Sequence, residues 1–237
     1  MGTTKRKRKY LKIVLASLAC IICIWIIKLV TVDIDSAEAE IQEYKEAIQT
    51  NPNDPDGHFN LGASYYRADD RESAINCFDA AISTDPKYRD AYEWLASCYW
   101  ETKQPSKSIE TWKRALRENP DYTWAHVALA FDYEDSGRYE EAIVEWKHLI
   151  EIEPDIVGLH VLLGNTCIEA GHLEEGIAAY KDALNLDPNH SPTHFGLAKV
   201  YLKMDNKDLA LQEYEILKTL DEELAKELLG LIPQQSE

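Results

Sequence analysis

Histidines that recur at a fixed spacing are the first candidates for chemistry in this sequence. Four of them are separated by multiples of 34 residues: His58, His126, His160 and His194. Zinc requires ligands at about 2 Å from one ion, whereas equivalent residues of stacked repeats lie roughly a repeat apart. We therefore expect no metal site and predict that these side chains are half-buried packing residues. A response to pH remains an alternative role for them.

Cysteines are the second candidates. Cys20 and Cys23 form a Cys-x-x-Cys pair, but they lie in an apolar segment, where a thiolate is strongly disfavoured. We expect these two to act as apolar residues. Cys77, Cys98 and Cys167 are an odd set at or beside apolar helical positions, which favours buried free thiols over a disulfide framework.

Catalytic signatures are absent from the sequence. It holds no glycine-rich phosphate loop, no His-Glu-x-x-His and no Gly-x-Ser-x-Gly. We therefore expect no enzyme activity, no catalytic residue and no cofactor. The composition, 45% hydrophobic and 28% charged, is that of a folded protein. The net charge of −17 argues against nucleic acid as a partner, because it would repel phosphate.

An apolar segment near the N-terminus predicts attachment to a membrane. Residues 11–32 form a nearly continuous apolar run, and as a helix they reach ~33 Å, enough to cross a bilayer core of about 30 Å. Lys12 and Lys28 lie near its ends, where long side chains extend to the lipid headgroups. We predict an uncleaved anchor; a cleaved signal peptide or a lipoprotein signal is the alternative.

The charge around this segment predicts its orientation. Residues 1–32 carry seven basic residues and no acid, which leaves −24 for the rest of a chain whose net charge is −17. Because basic residues stay on the cytoplasmic side, residues 1–10 are expected to form a basic cytoplasmic tail and the remainder to be exported. The bacterial inner membrane, with the folded part facing the periplasm, is the expected location.

An internal repeat organises the rest of the chain. Proline recurs every 34 residues, at Pro52, Pro86, Pro120, Pro154 and Pro188. Leucine followed by a small residue recurs at Leu61-Gly62, Leu95-Ala96, Leu129-Ala130, Leu163-Gly164 and Leu197-Ala198, and an aromatic recurs at Phe78, Trp112, Trp146, Tyr180 and Tyr214. Each unit therefore predicts two antiparallel helices that approach closely at the small residues, with proline ending the second helix. One unit cannot bury its apolar face alone, so the units must stack.

The five units are 55–88, 89–122, 123–156, 157–190 and 191–221, and they resemble the tetratricopeptide repeat family, whose pattern is W-x2-L-G-x2-Y, A-x3-F and a final P. The leading Trp is replaced by His or by Tyr92, and Glu222 stands where the fifth unit would have Pro. The resemblance implies an all-α solenoid of helix pairs, a right-handed superhelix, to which the anchor adds one N-terminal transmembrane helix. Residues 33–54 are expected to form a degenerate half repeat, and residues 222–237 a capping helix and tail.

In this family the first helix of each unit lines a concave groove that binds peptides. The family geometry gives twelve candidate partner-binding residues in the predicted groove: Phe59, Tyr66, Asp90, Glu93, Trp100, Glu101, Trp124, Val127, Phe131, Glu134, Asp135 and Phe195. It also places Lys199 and Lys203 of the last unit on the groove side. The aromatic residues are expected to be anchors for a partner, with packing against the adjacent repeat as the alternative. The acids favour a partner with apolar and basic residues and would repel a carboxylate; a merely solvated face is the alternative.

The sequence therefore predicts a membrane-anchored, non-enzymatic scaffold or assembly factor of the cell envelope that binds a protein or peptide. An anchor favours membrane-bound partners because it raises their effective concentration. Two alternatives remain. The repeats could bind each other to form an oligomeric platform, or the chain could be an accessory subunit of a membrane enzyme complex, such as one for cytochrome c maturation.

Overall fold

The structure, a computed structural model, describes residues 38–232. In this range every regular element is an α-helix, which confirms the all-α prediction. The helices are α1 (38–50), α2 (Pro55–Arg67), α3 (Arg71–Thr84), α4 (Arg89–Glu101), α5 (Pro105–Glu118), α6 (Thr123–Asp135), α7 (Tyr139–Ile152), α8 (Val157–Ala170), α9 (Leu173–Leu186), α10 (Ser191–Lys203), α11 (Lys207–Leu220) and α12 (Glu222–Leu231).

The predicted basic tail and the predicted span at residues 11–32 lie outside the described residues. Between residues 38 and 232, no helix is both long and apolar enough to cross a membrane.

The described helices form two compact units, divided between Gln104 and Pro105. The boundary lies between α4 and α5, inside the predicted repeat 89–122. In the described part of the first unit, α2 packs on α3 and α3 on α4, and Phe78 is fully buried. In the second unit each helix from α5 to α12 packs against the next, with Trp146 fully buried.

Small residues occur where the two helices of a repeat come closest. A Cβ at Gly62 would lie 2.7 Å from a ring carbon of Phe78, and one at Gly164 would lie 2.6 Å from a ring carbon of Tyr180. Real Cβ contacts are longer than this, so the backbone of the first helix touches the aromatic ring of the second. The repeat pattern predicts this close approach.

The turn that follows each first helix contains a residue in the left-handed conformation. The positive φ values recur every 34 residues: 64° at Asp69, 60° at Lys103, 69° at Gly137, 88° at Gly171 and 58° at Asp205. In each turn the next N–H bonds to the carbonyl five residues earlier, as Gln104 N does to Tyr99 O at 2.8 Å. This is the Schellman motif, which ends the helix and satisfies a carbonyl that the helix leaves free.

The N-terminal end of the array departs from the repeat pattern at Glu40, which occupies a small-residue position. Its carboxylate accepts hydrogen bonds from the Ser64 hydroxyl, at 3.2 Å, and from the Arg67 guanidinium. The acid is therefore accommodated by polar partners on α2 rather than by close packing.

The C-terminal end departs from the pattern at Glu222, which replaces the final proline. Asp221 caps α12 instead, because its carboxylate accepts the N–H groups of Glu223 and Leu224, both at 3.1 Å. Ala225 and Leu228 of α12 are buried in the C-terminal core.

Candidate functional site

The recurring histidines join the start of each first helix to the preceding turn. Their Nε2 atoms donate to the proline carbonyl six residues earlier, at 2.8–3.0 Å, in His58, His126, His160 and His194. The Tyr92 hydroxyl makes the equivalent bond to Pro86. His194 is buried and the other three are half-buried, so they pack much as predicted. In the described range, no cluster of His, Cys, Asp and Glu side chains could hold a metal ion.

Two of these histidines also contact a glutamate on the second helix of the same repeat. His126 Nδ1 lies 2.7 Å from Glu145 Oε2, and His194 Nδ1 lies 2.6 Å from Glu213 Oε2. Burial alone would lower the pKa of His126, but the hydrogen bonds to Glu145 and to the Pro120 carbonyl raise that pKa above its ordinary value. Each pair links the first helix of its repeat to the second.

In the first unit, the predicted anchors Phe59 and Tyr66 pack around Trp94. The ring of Trp94 lies edge-on to Tyr66, with centroids 4.9 Å apart, and edge-on to Phe59 at 6.4 Å. It also lies 6.0 Å from the buried ring of Phe78. These contacts join α2, α3 and α4, so Phe59 and Tyr66 take part in packing between repeats.

The acids of the first unit differ in their surroundings. Glu101 accepts a hydrogen bond from the Tyr66 hydroxyl and pairs with Arg71 at 2.6 Å. The hydrogen bond from Tyr66 lowers the pKa of Glu101. Of the other predicted groove residues on α4, Asp90 is exposed and Glu93 is half-buried. Trp100 is 38% exposed, so it is the aromatic side chain of the predicted groove that this unit leaves most accessible.

In the second unit, α6 presents an apolar strip formed by Trp124, Val127 and Phe131. Trp124 is 55% exposed and Phe131 41% exposed, while Val127 is half-buried. The Phe131 ring lies edge-on to the buried Trp146, with centroids 5.1 Å apart. One face of Phe131 is thus supported by the core and the rest is accessible, whereas Trp124 is the most exposed large apolar side chain of the predicted groove.

Glu134, a predicted groove acid, has structural partners. Its Oε1 accepts a hydrogen bond from Trp146 Nε1 at 2.8 Å and another from the Thr166 hydroxyl. The carboxylate thus links α6 to α7 and α8. Its neighbour Asp135 is exposed and pairs with no cation among the residues that the structure describes.

A pocket of about 370 Å³ lies in the second unit where α8, α9 and α10 meet. Phe195 lines it together with the apolar surfaces of Ile168, Tyr180 and Pro192. The Tyr180 hydroxyl donates to Asn165 Oδ1 at 2.5 Å, which leaves the Asn165 NH₂ group as a donor at the pocket. Burial, reinforced by the charge of Glu169, raises the pKa of Tyr180 to about 12, so its hydroxyl keeps its proton at neutral pH.

Charged side chains surround the same pocket. Lys199, Lys203 and Glu169 all line it, and none of the three forms an ion pair within residues 38–232. The Lys199 ammonium lies 5.6 Å from the centroid of the Phe195 ring. The groove surface at this pocket therefore includes two lysines as well as an acid.

The three described cysteines are free thiols. Cys98 and Cys167 are buried and Cys77 is half-buried. Burial raises the pKa of each to about 11, so the thiols stay protonated at neutral pH. This agrees with the prediction of buried free thiols.

Family comparisons decide what kind of repeat this is. The family model described as "Tetratricopeptide repeat" matches residues 59–123, and the model described as "TPR repeat" matches residues 38–69 and 164–205. The chain belongs to the tetratricopeptide repeat (TPR) family. No curated protein matches this TPR chain significantly.

Solved TPR structures share this fold at low sequence identity. YrrB, described as a TPR protein with an unusual peptide-binding site, is 17% identical with a TM-score of 0.62, over 79% of this chain and 97% of its own. MamA is 18% identical with a TM-score of 0.58, over 70% of this chain and 97% of its own. MamA from Desulfovibrio magneticus RS-1 is 16% identical with a TM-score of 0.59, over 71% and 96%. At these identities the likeness shows the fold alone.

One part of the TPR surface was not predicted from the sequence. Trp94 was absent from the predicted groove, although it precedes Leu95 of the leucine column and contacts both predicted anchors of α2. Lys199 and Lys203, in contrast, are at groove-facing positions by the family geometry, and both line the pocket that Phe195 lines. Their spacing of four and eight residues from Phe195 places all three on one face of α10.

Proposed function

We propose that this TPR protein is a membrane-anchored, non-enzymatic scaffold that binds partner proteins in the cell envelope. TPR arrays are typically non-enzymatic protein-interaction modules. YrrB, which has the same fold, is described by its peptide-binding site, and this supports a similar use of the present chain.

The observation that carries the proposal is the exposed strip of α6. Trp124 and Phe131 are large aromatic side chains that the core of the second unit leaves 55% and 41% exposed. Aromatic residues of this kind are enriched among the hot spots of protein interfaces, because they bury a large apolar area on binding. The strip therefore suits an apolar segment of a partner.

The exposed acids refine the partner's chemistry. Asp135 follows the α6 strip, and Asp90 lies on α4 in the first unit. Basic residues of a partner would be attracted to both side chains, which affects the rate and specificity of association more than the affinity. Glu101 and Glu134 contribute less to this attraction because they bond to other side chains of the protein.

The proposed location rests on the sequence. The apolar run at residues 11–32 and the seven basic residues within residues 1–32 support a signal anchor with a cytoplasmic N-terminus and exported repeats. An anchor followed so soon by α1 would hold the repeats close to the membrane. Partners in the same membrane would then meet the repeats at a raised effective concentration.

Crosslinking in the native membrane tests the proposal. The full-length protein is crosslinked in its own membrane, and the partners are identified by mass spectrometry. The experiment is repeated with the Trp124→Ala/Phe131→Ala variant, and we expect it to lose a defined set of partners. An unchanged set would overturn the assignment of the α6 strip.

A matched control variant distinguishes the effect of removing the α6 strip from the effect of removing exposed apolar surface elsewhere. Val144 and Ile152 lie on α7, outside the predicted groove, and are 63% and 46% exposed. We expect the Val144→Ala/Ile152→Ala variant to keep the partner set. Circular dichroism of all three proteins checks that helicity is unchanged.

Self-association is a second candidate, favoured by a different observation. Ile216 of α11 and Leu229 and Leu231 of α12 are exposed on the last two helices. A second copy could cover them. Light scattering of the full-length protein in nanodiscs, with one or several copies, tests this candidate. Self-association predicts a particle mass that rises with protein concentration. The Leu229→Ser/Leu231→Ser variant should show a lower mass.

A further inference from the structure

The pocket between α8, α9 and α10 combines an apolar floor with a rim rich in hydrogen-bond donors. Ile168, Tyr180 and Phe195 supply the apolar floor. Its volume of about 370 Å³ lies within the range of small ligand sites and exceeds that of one large side chain.

The rim carries more cations than anions. Asn165 Oδ1 accepts a hydrogen bond from the Tyr180 hydroxyl, and the NH₂ group of the same amide is a donor at the pocket. Lys199 and Lys203 offer two ammonium groups that pair with no carboxylate in the described range. Against these two ammonium groups stands one carboxylate, Glu169, so the rim has a net positive charge.

Lys199 places a positive charge close to the apolar floor of the pocket. Its ammonium lies 5.6 Å from the centre of the Phe195 ring. A group that fills the floor against Phe195 therefore brings any carboxylate attached one or two residues away within reach of the lysines. A lone apolar group would leave both ammonium groups unpaired, and a basic group would be repelled by them.

We propose that this pocket binds a large apolar side chain of a partner polypeptide together with an aspartate or glutamate one or two residues away in the same segment. The proposal rests on the proposed function and names the chemistry of one part of the partner. It also reverses the expectation for this end of the surface, where the predicted groove acids would have repelled a carboxylate.

Selection of displayed peptides tests the inference. Full-length protein in nanodiscs is used to select random dodecapeptides fused at the N-terminus of a phage coat protein, where the peptide has no free carboxyl end. Empty nanodiscs remove peptides that bind lipid. We expect the selected peptides to carry Asp or Glu within two positions of an aromatic or large aliphatic residue.

A charge swap then assigns the acid to the pocket. The best peptide should bind the Lys199→Glu/Lys203→Glu variant about tenfold more weakly by fluorescence anisotropy. Replacing its acid by lysine should restore binding to the variant and weaken binding to the natural protein. Lys181→Glu changes an exposed lysine of α9 that does not line the pocket, and it should leave the affinity unchanged.

Different failures identify different errors. Selected peptides that lack the acid, or that bind the Lys199→Glu/Lys203→Glu variant as well as the natural protein, overturn the pocket proposal. If such peptides bind the Trp124→Ala/Phe131→Ala variant more weakly than the natural protein, the proposed scaffold function stands and only the pocket proposal fails. If no peptide is enriched over empty nanodiscs, both proposals are overturned.

Discussion

His126 and Glu145 form a hydrogen-bonded pair between the two helices of one repeat, with Nδ1 and Oε2 2.7 Å apart. The other ring nitrogen of His126 donates to the Pro120 carbonyl at 3.0 Å. A carbonyl and a carboxylate can only accept, so both bonds are satisfied together when the imidazole is doubly protonated. The ring of His148 also lies against His126, with centroids 4.4 Å apart.

We predict that this pair stabilises the protein more at mildly acidic pH than at alkaline pH. The pKa of His126 is raised in the folded state, so its contribution is fully present below the unfolded value of about 6.5 and is lost as pH rises through the folded value. Glu145→Gln should lower the free energy of unfolding by about 1 kcal/mol at pH 6. Urea unfolding from pH 5.5 to 9 measures the difference, which should shrink as pH rises.

The control for this prediction is Glu151→Gln, which removes an exposed carboxylate from the same helix. It should change stability little and without a trend in pH. An effect of Glu145→Gln that is constant across the pH range would show that His126 does not titrate with the pair.

Glu134 and Asp135, neighbouring acids of the predicted groove, should differ in their contribution to stability. Glu134→Ala leaves the indole N–H of the fully buried Trp146 without its carboxylate acceptor, so we predict a loss of about 2 kcal/mol in the free energy of unfolding. Asp135→Ala removes an exposed carboxylate and should cost less than about 0.5 kcal/mol. Urea midpoints check both, and equal losses would contradict the structural role of Glu134.

The repeat architecture could be predicted from the sequence because it depends on many equivalent positions. The columns of Gly62 and Phe78 mark the close approach of two helices, seen at Gly62–Phe78 and Gly164–Tyr180, and one weak position does not obscure the period. Glu40 and Glu222 were recognisable as departures, but the polar partners that accommodate Glu40 and the Asp221 cap of α12 depend on neighbours outside the repeat pattern.

The surface was harder to predict because equivalent positions on it have different neighbours. Tyr66, Trp100 and Glu134 occupy the same position in successive repeats, yet Tyr66 contacts Trp94, Trp100 is 38% exposed and Glu134 accepts a hydrogen bond from Trp146. Family geometry indicates which residues face the groove. Whether such a residue is free for a partner depends on side chains contributed by the next helix, which the pattern does not specify.

Lys103, in the turn after α4, has a left-handed backbone conformation with a φ of 60°. Glycine occupies the equivalent position in two other repeats, at Gly137 and Gly171. Because a side chain in the left-handed conformation costs about 1 kcal/mol or more, Lys103→Gly should raise the urea midpoint by the equivalent of about 1 kcal/mol. Lys103→Ala keeps the unfavourable φ and should not raise the urea midpoint. Gly137→Ala introduces a side chain at a positive φ and should lower the urea midpoint. Equal effects of the two Lys103 variants would contradict this explanation.

Two glycines of α8 provide the most direct test of the close approach between helices. A Cβ at Gly164 would lie 2.6 Å from the ring of Tyr180, so Gly164→Ala should lower the free energy of unfolding by about 1–3 kcal/mol through overpacking. A Cβ at Gly158 would meet nothing within 4 Å. Since alanine favours helix over glycine, Gly158→Ala should raise stability by about 0.5 kcal/mol. Opposite signs in urea unfolding are the expected result, and two losses of equal size would show that the backbone of α8 does not pack on Tyr180.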